Sequence, residues 1–330
     1  MREIKRLLVT GSLGFIGSAF CHKYSERYEI FGVDFGGWGS MEENLAPGIH
    51  DIRADISDSE KIRSVIGDAK PDAIINFAAE SHNDRANEDD SNFWRSNVLG
   101  ARNLALEASR SEIWMVQVST DEVYGDATGN QEPWAEGAPM APKSSYSVTK
   151  ASAESLLRVY CDSKRYKLKV IITRGANTIG PRQFPEKAIP KAVSCFMKGE
   201  QFPLFATPAR RMWMHVDDHV AGIQAALLKG QPGEIYNLAP SAQSEEFTEE
   251  VIERIRTLVG SGSIKTIADR DNYDRRYWLT ARKAKECLGW EAEYDLDRTL
   301  SSTVTWYLEN RGWLEAANRK LEEATKKLAA

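Results

Sequence analysis

The chain has 330 residues, 42% hydrophobic and 28% charged, with a formal net charge of −5. That length holds one large domain plus a smaller one around a substantial core. The acidic balance, with a pI near 5.7, excludes the global basic field that draws a protein to nucleic acid. No apolar run nears the roughly 20 residues that span a bilayer, and the first strand begins too early for a signal peptide, so a cytoplasmic protein without membrane partners is expected. Cys21, Cys161, Cys195 and Cys287 are scattered, without CxxC spacing or a histidine cluster. This fits a reducing compartment and argues against a metal.

In chain order, Lys5 to Thr10 reads as a buried strand that runs into Gly11-Ser12-Leu13-Gly14-Phe15-Ile16-Gly17. Glycines at this GxxGxxG spacing permit a tight turn, close approach of backbone to a pyrophosphate, and close helix-on-strand packing. The helix that follows points its N-terminus at the phosphates. A second strand, Glu29 to Val33, ends in Asp34. An acid there accepts hydrogen bonds from an adenosine ribose and repels a 2′-phosphate, which favours NAD over NADP. Ile49 to Ile52 leads to Asp55 and Ile56, placed for the adenine edge. Asp72 to Ala79 is a continuous apolar run typical of a central parallel strand. Asn97 to Ala108 reads as a helix, Trp114 to Val118 as a strand, and Lys169 to Arg174 as another. Strands and helices alternating at these lengths predict a doubly wound α/β parallel sheet of Rossmann type.

The chemistry-bearing stretch is Ser119-Thr120-Asp121-Glu122-Val123-Tyr124-Gly125, followed by Tyr146-Ser147-Val148-Thr149-Lys150. Tyr146 and Lys150, four apart, share a helix face. In an open parallel sheet, ligands bind outside the carboxyl ends of the strands, where Thr120 to Glu122 fall. One small site can therefore hold a hydroxyl, two carboxylates, a phenol and an amine. Each fragment alone is also compatible with a plain amphipathic helix and a solvated loop.

Beyond Arg174 the pattern loosens. Gly175 to Pro190 is rich in proline and glycine and reads as a cleft wall. Met212 to Val216, then a helix from Asp218 to Leu228, reads as a return to the sheet domain. The remainder is helix-rich. Arg182, Lys187, Arg210, Arg211, Arg270, Arg275 and Arg276 gather in these segments, a set suited to a diphosphate because guanidinium binds phosphate bidentately. From Leu314 the tail is rich in Ala, Glu and Lys, with Leu314, Leu321 and Leu328 seven apart. A solvated terminal helix is expected.

These segments carry a resemblance. The chain resembles the extended short-chain dehydrogenase/reductases, and within them the dTDP-glucose 4,6-dehydratases, over nearly its whole length. The likeness rests on TGSLGFIG (10–17), AAESHNDR (78–85), SNVLGARNL (96–104), STDEVYGD (119–126), YSVTK (146–150), TRGANTIGPRQFPEKAIP (173–190), RMWMHVDDH (211–219) and DRDNYDRRY (269–277). The resemblance implies a Rossmann domain over 1–175, with 206–230 returning to it. It also implies a smaller α/β nucleotide-sugar domain over 176–205 and 231–330, ending in the helical tail. NAD is implied to lie against Gly11, Gly14, Phe15, Ile16, Gly17, Asp34, Asp55, Ile56, Phe77, Ala78, Ala79, Ser96, Tyr146, Lys150 and Thr178. The nucleotide sugar is implied to meet Ser81, Thr120, Asn177, Lys187, Phe205, Arg211, Asn237 and Arg270.

The implied reaction is an internal redox cycle. Tyr146, its phenol made more acidic by Lys150 and the nicotinamide cation, takes the C4 hydroxyl proton, and Thr120 bonds the same oxygen. Glu122 removes the C5 proton, Asp121 protonates the departing C6 hydroxyl, and hydride returns to C6. A two-fold homodimer is implied, paired through the Tyr146 helix and the preceding one. Where the family usually carries a Leu-Thr-Tyr-Ala-Gly-type segment after the ribose acid, this chain has Phe35-Gly36-Gly37-Trp38-Gly39. The residues leave open the nucleobase and the hexose. Rival readings are a nucleotide-sugar 4-epimerase or uronate decarboxylase, which needs no acid at 121, and a non-catalytic NAD-bound sensor or scaffold.

Overall fold

A computed structural model describes residues 2–82, 85, 89–269 and 273–328. The apolar runs of the first half form β1 (Arg6–Thr10), β2 (Glu29–Asp34), β3 (His50–Arg53), β4 (Ala73–Asn76), β5 (Trp114–Thr120) and β6 (Lys169–Gly175). With the later strand β10 (Ile235–Leu238) they make one seven-stranded parallel sheet, ordered β10-β6-β5-β4-β1-β2-β3. Successive strands run outward one way from β1 and the other way from β4, so the switch point lies between these two. A cleft opens there at the carboxyl ends.

The helices, in chain order, are α1 (Phe15–Tyr24), α2 (Ser59–Ala69), α3 (Ala101–Arg110), α4 (Ser145–Asp162), α5 (Ala188–Met197), α6 (Val216–Lys229), α7 (Thr248–Val259), α8 (Leu296–Glu309) and α9 (Arg311–Leu328). Phe20 and Cys21 of α1 pack with Val220, Ile223 and Leu227 of α6 on one sheet face, over Leu7, Val9, Ile75 and Val116. On the other face Ile62 and Val65 of α2, Leu104 of α3 and Leu157 of α4 cover Leu8, Ile74, Met115 and Val170. Both faces are therefore dry, as a doubly wound sheet requires. The expected helix over 97–108 is a π-helical turn, Trp94–Gly100, that runs into α3. Among the described residues, no helix is long and apolar enough to cross a membrane.

The second half differs from the expectation in three places. The strand near Met212 is β9 (Arg210–His215), and it pairs not with the large sheet but with β7 (Asn177–Ile179) and β11 (Glu245–Phe247). Only α6, after it, returns to the large sheet. Conversely β10, expected in the smaller domain, is the edge strand beside β6, and Ala284, Leu288 and Trp290 pack beneath the same sheet. The smaller lobe adds a two-stranded pair, β8 (Gln201–Phe205) with β12 (Ser263–Ile267). Its core joins α5, α7, α8 and α9. The terminal helix is thus not simply solvated: Trp313, Leu314 and Ala317 are buried in that core. The Leu328 side chain lies outside the described residues.

A charged pair is buried inside the main domain. Arg174 at the end of β6 and Glu154 on α4 are 2% and 1% exposed and 2.6 Å apart. The Arg174 guanidinium also sits 4.5 Å over the Tyr124 ring. Glu154 lies one turn beyond Lys150, so this pair joins the two segments that carry the candidate chemistry.

Candidate functional site

The switch-point cleft has a volume of about 310 Å³. Its floor begins at the loop after β1. Gly11 has φ +70°, and a Cβ there would stand 2.8 Å from the Ala78 nitrogen; a Cβ on Gly17 would meet the Gly11 oxygen at 2.1 Å. Only glycine fits either place. Gly14 caps α1 without a side-chain hydrogen bond, so the first-turn amides remain available to an anion. Phe15, Ile16, Asp34, Ile56, Phe77, Ala78, Ala79 and Ser96 continue the wall, and Tyr146, Lys150 and Thr178 close its inner end. A cradle that admits no Cβ, a bare helix N-terminus and a buried acid at the end of β2 fit a dinucleotide.

The reactive end is built where β5 stops. Thr120 leaves the strand, and its hydroxyl oxygen accepts from the Glu122 amide at 3.2 Å, which caps the short 3-10 turn Asp121–Tyr124. The same hydroxyl donates to Asp121 Oδ1 at 3.2 Å, and Thr120 is close enough to act on the Tyr146 phenol. Thr120 therefore stands between Tyr146 and Asp121 and is hydrogen-bonded to the acid. Tyr146 comes from the start of α4, where Ser144 and Ser147 form a reciprocal capping box. Lys150, one turn on, donates from its amine to the Val118 carbonyl at 2.6 Å.

Burial dominates the electrostatics. The Asp121 carboxyl is pushed up to about 7, first by burial and then by the Glu122 charge, against the pull of Thr120 and Arg211. Its Oδ2 is buried without a hydrogen-bond partner among the described residues. Burial brings the Lys150 amine down to about 8, with Glu154 opposing. The Tyr146 phenol is raised, by burial and then by Glu122. The lowering expected from Lys150 together with the nicotinamide cation is thus not produced by the protein's own groups alone. Lys150 is not among the groups that shift the phenol, so lowering Tyr146 falls to a cation in the cleft.

Of the other expected sugar-binding residues, Ser81, Asn177 and Lys187 line the cleft, and the Lys187 amine donates to the Ser81 carbonyl at 2.6 Å. Asn237 does not line it. It is fully buried, accepts from the Tyr124 hydroxyl at 2.8 Å and donates to the carbonyls of Trp134 and Thr280, so it braces the turn from behind. Asp55 is likewise turned away, receiving Arg95 at 2.6 Å and the Ser57 amide at 2.8 Å. Phe205 stands outside this cleft, 4.9 Å from the Tyr273 ring. Arg211 is buried beside Tyr277, donating to the carbonyls of Arg210 and Asp274, and its charge reaches Asp121. Arg270 lies outside the described residues.

Further residues near the chemistry were not anticipated in these roles. Trp38, Gln183, Glu186 and His219 line the cleft, and Tyr277 is close enough to feel the charges of Glu122 and Arg211. His219 shares a 2.8 Å hydrogen bond with the Thr178 hydroxyl, and burial drives its imidazole down to about 4, so it stays neutral. It stood within the quoted RMWMHVDDH string, but nothing in its spacing ties it to Thr178.

The family model described as GDP-mannose 4,6 dehydratase matches residues 8–303. The chain belongs to that family. It is 36% identical to the dTDP-glucose 4,6-dehydratase of Streptomyces griseus, over 94% of this chain and 96% of the relative. Its fold matches the solved dTDP-glucose 4,6-dehydratase of Bacillus anthracis in complex with NAD, with a TM-score of 0.86, 36% identity, and 95% and 99% of the two chains covered. A UDP-glucose 4-epimerase of Thermus thermophilus, solved as a complex with NAD, also scores 0.86, at 27% identity with 92% and 99% covered. The backbone therefore does not separate dehydratase from epimerase; the acids after Thr120 must.

The Asp121 environment makes a measurable prediction. Its carboxyl is raised from the ordinary 3.8 to about 7, so the native state holds this proton more tightly than the unfolded state. The stability this proton contributes is full below about pH 4 and is lost as pH rises through about 7. Asp121→Asn removes that dependence. Calorimetry is expected to show the variant melting above the wild type near pH ~8, with the gap closing toward pH ~4. A gap that does not change with pH contradicts the assigned environment.

Proposed function

We propose that the protein is a lyase, an NAD-dependent nucleoside-diphosphate-hexose 4,6-dehydratase that turns dTDP-glucose into its 4-keto-6-deoxy sugar and keeps its cofactor through turnover. The observation that carries this reading is the gathering of Tyr146, Thr120, Asp121 and Glu122 at one end of the cleft, with Thr120 hydrogen-bonded to the buried Asp121. Oxidation at C4 needs one base. Water elimination across C5 and C6 needs a second base and an acid that still carries its proton near neutrality. A carboxyl raised to about 7 beside a second carboxylate meets that need.

Gly11, Gly14 and Gly17 would cradle NAD beside Asp34, and the bound group would supply a hydride acceptor for C4 and a hydride donor for C6. Tyr146 takes the C4 hydroxyl proton, and Thr120 holds that oxygen. The resulting ketone acidifies the C5 hydrogen, which Glu122 removes and later gives back to C5 as hydride reaches C6. Asp121 gives its proton to the C6 hydroxyl, which leaves as water. Lys150 keeps positive charge near the phenol, and Glu154 keeps the amine protonated. The relatives named as dTDP-glucose 4,6-dehydratases favour dTDP-glucose as the first substrate to test.

The protein incubated with dTDP-glucose or UDP-glucose, with no NAD added, is expected to yield a 4-keto-6-deoxy product. An epimer or a pentose would instead place it with the 4-epimerases or decarboxylases. Glu122→Gln is expected to build up NADH absorbance while elimination stalls, whereas Tyr146→Phe abolishes that absorbance. Each substitution costs on the order of 10²–10⁴-fold in turnover. Near-wild-type turnover in both variants contradicts the assigned roles.

The reading extends to a two-fold homodimer. Trp94, Leu99 and Val159, on the π-helical turn and the adjacent α4, are 43%, 42% and 62% exposed in the single chain. Apolar surface of this kind on neighbouring helices suits an isologous pairing. Light scattering is expected to give twice the chain mass; a monomer at micromolar concentration contradicts the pairing.

A further inference from the structure

Residues 35–44, which begin with the departure from the family pattern at 35–39, run along the cleft beside Asp34. It is tied at both sides. Toward the ribose acid, the Gly36 amide and the Ser40 hydroxyl each donate to Asp34 Oδ1 at 2.9 Å. Toward the glycine loop, the Met41 amide and the Asn44 side chain donate to the Leu13 carbonyl at 3.1 and 3.0 Å. On the far side, Trp38 lies in the cleft wall, donates from its indole nitrogen to the Glu186 carboxylate and carries the Arg85 guanidinium 4.1 Å over its ring. Arg85 is itself paired with Glu80 at 2.7 Å. The segment therefore bridges the sheet domain and the second lobe.

What holds the bridge down is the last helix. The Lys320 amine donates to the Gly37 carbonyl at 3.1 Å and to the Ser40 carbonyl, and the Trp313 indole donates to Asn44 Oδ1 at 2.9 Å. Lys320 is half-buried, and Asp34, Glu42 and Glu43 all act on its charge. A charged donor given to two loop carbonyls holds more strongly than a neutral one.

We infer that Lys320 is a positioning residue for the cofactor: with Trp38 as the opposite anchor, it pins residues 35–44 closed over the adenosine end, so that NAD leaves only when the terminal helix lets go. The inference rests on the NAD-retaining reading above and supplies its structural cause. A cycle that returns its hydride within each turnover never needs to exchange the nucleotide, so a mouth strapped shut costs nothing in rate. An enzyme that released NADH every cycle would be slowed by the same strap.

The test is exchange of bound NAD for isotope-labelled NAD, followed by mass spectrometry on purified holoenzyme, with melting temperature measured beside it. Lys320→Met keeps the aliphatic stem and removes the donors; exchange is expected to quicken on the order of tenfold or more. Lys320→Arg restores a charged donor and is expected to exchange near the wild-type rate. Trp38→Phe keeps the ring and loses the indole N–H, and a several-fold acceleration is expected. Lys326→Met, at an exposed position on the same helix, is expected to change nothing. Wild-type exchange in Lys320→Met overturns the inference, as does equal acceleration in Lys326→Met. Should Lys320→Met fail to fold, Trp38→Phe decides alone, and a wild-type rate in it is fatal to the proposal. A wild-type protein that binds no NAD at all overturns instead the dehydratase reading.

Discussion

The structure depends on keeping several ionisable groups dry in one small volume. Asp121, Tyr146 and Lys150 are all shifted chiefly by burial, each toward its neutral form. Desolvation of this kind is expensive unless the surroundings compensate. Thr120 and Arg211 counter the burial of Asp121; behind the reactive layer, Glu154 of the Arg174–Glu154 pair favours the charged Lys150, and Arg174 lies against Tyr124 in the turn that carries Asp121 and Glu122. Leaving one member of such a pair alone typically costs ~3–5 kcal/mol, a large share of the ~5–15 kcal/mol that holds a domain together. The same pair therefore bears on the fold and on the register between β5, β6 and α4.

From that constraint the chemistry follows with little extra machinery. Strands β5 and β6 end side by side, so the Thr120 turn and the cleft wall after Gly175 meet at the switch point. The α4 capping box sets where Tyr146 starts, and the helical period then brings Lys150 to the same face. Adjacent carboxylates with opposite proton duties require unlike environments. Asp121 is sealed within the turn, with Thr120 on one side and Glu122 on the other, and is thereby kept an acid.

Much of this was legible in the sequence, for a physical reason. The glycine loop, Asp34 and the Thr120-to-Lys150 stretch are local patterns: a turn that excludes Cβ, an acid at a strand end, two residues four apart on a helix. Their partners are fixed by the parallel sheet, so local pattern is enough. What stayed hidden depends on distant contacts. Asn237 and Asp55 carry the right chemistry, but Tyr124 and Arg95 claim them from elsewhere in the chain. Strands β9 and β10 have similar apolar content, and only their pairing partners place one in the small sheet and the other in the large. Trp38 and Lys320 are separated by most of the chain, and the charged face of α9 concealed that its opposite face is buried. Tyr146 fell between these cases: the residue was legible, but the sign of its shift depends on how deeply it is covered.

The fold is shared with a 4-epimerase, and the central claim is that Asp121 and Glu122 turn a shared C4 oxidation into a dehydration with internal hydride return. The most direct measurement uses a mixture of unlabelled and C4-deuterated dTDP-glucose, with the product read by mass spectrometry and NMR. The account predicts deuterium at C6 of the product, carried within single molecules and without crossover to the unlabelled pool. Deuterium retained at C4 of an epimer, or lost to solvent, would contradict it.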